Sequence, residues 1–147
     1  GVNRAREWQA VTVSYDTAPE WIDELLIQFY VLSVMRDPDT KRNVYSLYRN
    51  TVRYIDIEQG RGHTAVVFLR PAALLRHGEP VAVAAVFTLE GEVVAEVSDE
   101  GSQLPEKWWK NPLVTDSAAT TAREGYLLDR SKSPWALINP DDYEVIK

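Results

Sequence analysis

The sequence predicts an all-β protein, an antiparallel β-sandwich with one or two short helices. Three observations carry this. Apolar and polar residues alternate over most of the first hundred positions, the signature of half-buried strands. β-Branched and aromatic residues, which suit a pleated surface, are concentrated in the same stretches. Turn-forming clusters recur at roughly 8–15-residue intervals, as in sandwiches and barrels.

The elements follow in order. Glu7 to Tyr15 alternates Trp8, Ala10 and Thr12 with Val11, Val13 and Tyr15 and reads as a strand. Trp21 to Met35 carries two signals. Thr17-Ala18-Pro19-Glu20 matches a capping box that would start a helix, but Leu25, Ile27, Phe29 and Val31 alternate with polar residues, so we read a strand. Arg36 to Asn43, with Pro38 between two aspartates, is a hairpin connection. Val44 to Glu58 is a long strand whose apolar side is Tyr45 and Leu47, then either Val52 and Tyr54 or Ile55 and Ile57. That change of face predicts a bulge near Asn50. Gln59 to Gly62 turns the chain into a strand from His63 to Leu69.

Pro71 to His77 is a short helix, with Pro in its first turn and Gly78 at its end. Pro80 to Leu89 is apolar on both faces, the mark of a central strand. Glu90-Gly91 makes a two-residue hairpin into Glu92 to Val97, where alternation leaves one face solvated. Leu104 to Lys110 reads as a short helix stopped by Asn111-Pro112. Leu113 to Arg123 carries no assignable pattern. Short strands near Tyr126 to Leu128, Trp135 to Ile138 and Tyr143 to Ile146 complete the sheets. No linker, repeat or low-complexity tract divides residues 1–147, so a single domain is expected. The immunoglobulin-like sandwich is the commonest such architecture near this length, although its Cys–Trp–Cys pattern is missing.

Composition narrows the function. The 147 residues contain no Cys and carry a net charge of −6, with 45% hydrophobic and 26% charged residues. Thiol catalysis, disulfides and Cys-ligated zinc are excluded. The acidic balance argues against nucleic acid, whose phosphates call for clustered Lys and Arg. The longest apolar run, Val81 to Phe87, is seven residues, against roughly 20 for a helix across a bilayer. Gly1 is not an initiator Met, so a processed or trimmed chain is expected, with any targeting segment out of view.

No catalytic constellation emerges. His63 and His77 lack metal-ligand spacing and read as a strand-start and a helix-end residue. Ser102 after Gly101 does not complete G-x-S-x-G. The carboxylate pairs Asp23/Glu24, Asp37/Asp39, Asp99/Glu100 and Asp141/Asp142 read as solvated turn residues. Gly60-Arg61-Gly62 lacks the Lys of a phosphate loop. We expect no enzyme activity, cofactor or metal. The candidate contact residues are Trp108 and Trp109, adjacent and therefore pointing apart with one partly exposed, and Arg49 and Arg53, which share a strand face unless the bulge intervenes. Exposed Trp and Tyr anchor protein interfaces or stack on sugars. A glycan-binding sandwich is thus the alternative to a protein-binding one.

Three phrases carry a resemblance: PEWIDELLIQFYVL (Pro19 to Leu32), VRYIDIEQGRGHTAVVFLRP (Val52 to Pro71) and SPWALINPDDYEVI (Ser133 to Ile146). They resemble small proteins encoded beside type IV pilus genes in Verrucomicrobia, including the gut genus Akkermansia. The resemblance implies an immunoglobulin-type sandwich similar to archaeal pilus subunits. It implies an accessory or structural role in the cell envelope, outside the cytoplasm, with pilus or envelope components or another copy as partners. It brings no catalytic residues.

Overall fold

The computed structural model describes residues 8–17, 21–100, 103–132 and 144–145. The strands are β1 (Gln9–Thr17), β2 (Ile22–Arg36), β3 (Asn43–Ile57), β4 (Gly60–Leu69), β5 (Glu79–Leu89), β6 (Glu92–Glu100), β7 (Thr120–Arg123), β8 (Leu127–Leu128) and β9 (Glu144–Val145). Two α-helical turns, α1 (Pro71–His77) and α2 (Pro112–Thr115), and 3-10 turns at Trp108–Lys110 and Arg130–Lys132 complete the chain. The strands form two sheets, as the all-β sandwich reading expected. The smaller has the order β1-β4-β8. The larger runs β6-β5-β2-β3-β7, with β9 also paired to β3.

The core between the sheets follows from period-two alternation. Leu25, Ile27, Phe29 and Val31 of β2 and Tyr48, Val52 and Tyr54 of β3 face Val11, Ala65, Val67 and Leu69 of the small sheet. This settles the two readings of Trp21 to Met35 for the strand. Thr17, the first residue of the supposed capping box, ends β1 instead. Its hydroxyl oxygen accepts from the Gly60 amide at 2.9 Å, closing the β1–β4 corner.

The β2–β3 ladder corrects one expectation. Its register is uninterrupted from Ile22↔Ile57 to Arg36↔Asn43, so there is no bulge at Asn50. Val52 and Tyr54 are the core residues of the later half, in phase with Tyr48. Ile57 joins the same core from the opposite parity because Asp56 adopts φ 52°, a left-handed conformation that turns the strand end inward. The change of face is real and lies six residues later than the sequence suggested.

The second half of the chain departs further. Glu90 (φ 52°) and Gly91 (φ 81°) form the two-residue hairpin expected, with the paired positive φ values of a type I′ turn. Asn111-Pro112, read as a helix stop, is a helix start: the Asn111 side-chain oxygen accepts from the Leu113 amide at 3.0 Å and Pro112 opens α2. The expected helix over Leu104 to Lys110 is reduced to the 3-10 turn at Trp108–Lys110. The unassigned stretch contains β7, which pairs with β3 in parallel, whereas the other strand pairs among the described residues are antiparallel. The segment Trp135 to Ile138 lies outside the described residues.

A second, smaller core lies on the outer face of the large sheet. Leu32, Leu47, Ala82, Ala84 and Val86 are covered there by Trp108, Trp109 and Val114. Pro80 to Leu89 is apolar on both faces for this reason. Ala85 and Phe87 enter the inter-sheet core, and Ala82 and Ala84 are small enough to seat an indole outside.

Candidate functional site

The small sheet is narrower than the sheet it covers. It has three strands, and β1 pairs with β4 on one side only among the described residues. Beside its free edge, the inner face of β6 and the Val81 end of β5 are left exposed among the described residues. A groove of about 270 Å³ runs between them, lined by Val11 to Ser14 of β1, Phe29, Val83 to Ala85, and Val97 to Asp99. It continues along Gln9 to Thr12 and Pro80 to Val83 as a second hollow of about 460 Å³. Val81 and Val97, at 42% and 45% exposure, lie along this floor. The alternation in β6 suggested one solvated face, but both faces are exposed, with Val93 and Val97 on one and Val94 on the other.

The two edges that flank the groove, β1 and β6, differ in chemistry. Natural sheets protect edges with charges, prolines and bulges. β6 carries Glu92, Glu96, Asp99 and Glu100, and its ladder to β5 is interrupted between Phe87 and Thr88. β1 has no charged residue or proline from Gln9 to Tyr15 and keeps an unbroken register with β4 over that span. Of the two, β1 is therefore the unprotected one.

The sequence-selected residues lie elsewhere, on the outer face of the large sheet. Arg49 and Arg53 share that face, as expected without a bulge. Arg49 is opposite Tyr30 and Arg53 opposite Leu26. The Arg53 guanidinium is 3.6 Å from the Glu24 carboxylate, an exposed pair contributing about 0–1 kcal/mol. Burial raises the Tyr30 phenol pKa, Arg49 opposes this, and Glu96 adds to it. Trp108 and Trp109 correct an expectation. Neither is exposed: they are 0% and 6% accessible and meet edge-to-face at 90° with centroids 5.9 Å apart. The two rings touch each other, and both are buried in the outer core. The 3-10 turn is fastened by Glu96, which accepts from Lys107 Nζ at 3.0 Å and Lys110 Nζ at 2.8 Å. Those bonds, Lys110 first, hold the Glu96 carboxyl below its ordinary pKa.

The histidines take structural places. His63 lies in β4, stacked on Tyr15 at 5.4 Å, with Nε2 2.8 Å from the Glu58 carbonyl oxygen. His77 ends α1 and meets Tyr126 edge-on at 5.7 Å. Ser102 and the Asp141/Asp142 pair lie outside the described residues. Asp37 holds its own turn, its Oδ1 accepting from the Asp39 amide at 2.8 Å. Among the described residues no three His, Asp or Glu side chains converge as a metal site. No helix among them is long and apolar enough to cross a membrane.

Fold and site together define a two-sheet β-sandwich with one shortened sheet and an open edge. Residues 3–147 match a protein-family model, and the chain belongs to that family, a "-like" group whose description states no activity or partner. A crystal structure from Akkermansia muciniphila superposes with a TM-score of 0.75 at 24% identity, covering 97% of this chain and 78% of that one. That likeness extends to the fold. No curated protein matches the chain.

Proposed function

We propose that this protein is a non-enzymatic accessory or structural component of the cell envelope that works by protein–protein contact in type IV pilus assembly. The observation that carries the contact mode is the uncharged free edge of β1 beside a groove of mixed polar and apolar lining. An extended partner segment laid there would take main-chain hydrogen bonds from β1 and bury alternate side chains against Val81 and Val97. Arg49 and Arg53 form a separate polar patch that would select an acidic partner. The envelope and pilus setting is supported by the sequence phrases above, while the Akkermansia muciniphila structure supports the fold alone.

The test is site-directed photo-crosslinking in native cells from Thr12 and Ser14, followed by mass spectrometry. Pilus or envelope-assembly proteins should be recovered from these positions. Their yield should fall at least about tenfold in V97K and V81K, while folding stability changes by only about 0.5 kcal/mol at these exposed sites. An unchanged crosslink pattern in both variants would refute the groove. Recovery of cytoplasmic proteins alone would refute the setting. A glycan-binding reading retains one exposed ring among the described residues, Trp21 at 59% exposure. It predicts saturable fluorescence change on oligosaccharide titration that W21A abolishes.

A further inference from the structure

One end of the sandwich is closed by polar groups rather than by apolar ones. Ser33 of β2 is paired in register with Ser46 of β3. Both are buried, and the fully buried Tyr48 lies two residues along β3. Among the described residues the Tyr48 hydroxyl and Ser33 Oγ lack a well-aligned hydrogen bond, although the Ser33 and Ser46 hydroxyls lie close to the Tyr48 phenol. Burial raises the Tyr48 phenol pKa, with Ser33, Ser46 and Arg123 near enough to oppose the shift. The parallel pairing of β7 brings Arg123 opposite Tyr48, and Arg123 Nε donates to Ser46 Oγ at 2.8 Å. That bond fixes the guanidinium plane, and neither Nη atom has a partner among the described residues.

α1 completes the arrangement. Its last turn carries Arg76 and His77 and is pressed onto the end of β2 at Gly78. A Cβ at Gly78 would lie 2.0 Å from the Val34 carbonyl oxygen, so glycine alone permits this approach. The result is a hollow of about 250 Å³ whose polar lining is Arg36, Arg76, His77, Arg123 and Ser46 together with Asp37 and Asp39. No ion pair within 4.0 Å joins any of the three arginines to a described carboxylate. Asp37 directs one oxygen to the backbone of its own turn. Three guanidinium groups against two carboxylates leave the hollow net positive on a chain of net charge −6.

We propose that this hollow binds a small oxyanion, a sulfate, phosphate or carboxylate group, with Arg123 as its fixed anchor and Arg36 and Arg76 closing over it. Guanidinium groups present paired N–H donors that match such oxygens. A bound anion would offset the mutual repulsion of the three cations. In the same geometry His77 is held below its ordinary pKa, by burial first and then by the neighbouring Arg123 and Arg76.

The experiment titrates the full chain with sodium sulfate and, separately, sodium acetate at constant ionic strength, following heat and the NMR signals of the His77 ring. Saturable binding of either anion with a shift at His77 is expected. Saturation by sulfate alone identifies a tetrahedral ligand, and saturation by both a general oxyanion site. R123Q should weaken binding by about tenfold or more, the loss of a charge-assisted contact. R76Q, at an exposed helix end, provides a second reading that does not touch Ser46 and should weaken binding several-fold. R49A, on the far face, should leave it unchanged. Absence of saturation up to about 50 mM, a range that still detects weak sites, overturns the proposal. So does binding that both R123Q and R76Q leave intact, or that R49A reduces equally.

Discussion

Trp108 offers the sharpest test of what holds the outer core. Its side chain is fully buried against the alanine-rich face of β5, and its Nε1 hydrogen has no acceptor among the described residues. Burying about 150–250 Å² of indole is worth roughly 4–6 kcal/mol at about 25 cal/mol per Å². Truncation to alanine leaves a cavity that Ala82 and Ala84 cannot fill, so W108A should lose about 3–5 kcal/mol. W108F should behave differently. It keeps most of the apolar area and removes an unpaired buried donor, a group that costs about 1–3 kcal/mol. The net loss should be about 1 kcal/mol or less. Urea unfolding followed by far-UV circular dichroism measures both, with the m-value as the check on two-state behaviour. Equal losses in W108F and W108A would refute the reasoning, because the indole N–H would then be contributing. A loss below about 1 kcal/mol in W108A would show that the segment is not packed on the sheet at all.

Two further predictions follow from the same geometry. Glu96 has a lowered pKa in the fold through its Lys110 and Lys107 bonds, so its contribution is present above the ordinary carboxylate pKa and is lost as pH falls through the folded value. Tryptophan fluorescence of the wild type should change in an acid transition below the ordinary Glu range, and E96Q should lack that component; identical acid profiles would count against the fastening. G78A should destabilise by at least about 3 kcal/mol, because φ 88°, ψ 178° is a glycine region and the new Cβ meets the Val34 carbonyl. Thermal unfolding of G78A within a few degrees of wild type would show that α1 does not press on β2 there.

Much of the fold was legible because strand alternation is a local signal. The core positions of β2 and the tight hairpin at Glu90-Gly91 follow from period two and from positive-φ chemistry. What failed was non-local. Asn111 and Pro112 can end one helix or begin the next, and only the packing of Val114 on the sheet decides between them. The face of β3 changes at Asp56, where a left-handed residue leaves no apolar trace. Arg49 and Arg53 stood out by spacing and do share a face. Trp108 and Trp109 stood out by abundance, but the cue that a pair of indoles will be buried is the Ala82/Ala84 surface, far away in sequence. The open edge had a readable sign in the missing charges of β1. Its importance depends on β6, which the sequence does not place beside it. Arg36, Arg76 and Arg123 belong to three separate segments and meet only because β7 runs parallel to β3.

The uncharged border of β1 has a consequence for assembly. A receptor groove and a donated strand are different surfaces, so a contact between two copies through them would be head-to-tail and would not close on itself. A chain that both receives and donates therefore extends a filament by one unit at each step. A chain that only receives ends it. In an assembly of that kind, a repeating unit and a terminus would differ in a single property, the possession of a strand free to leave.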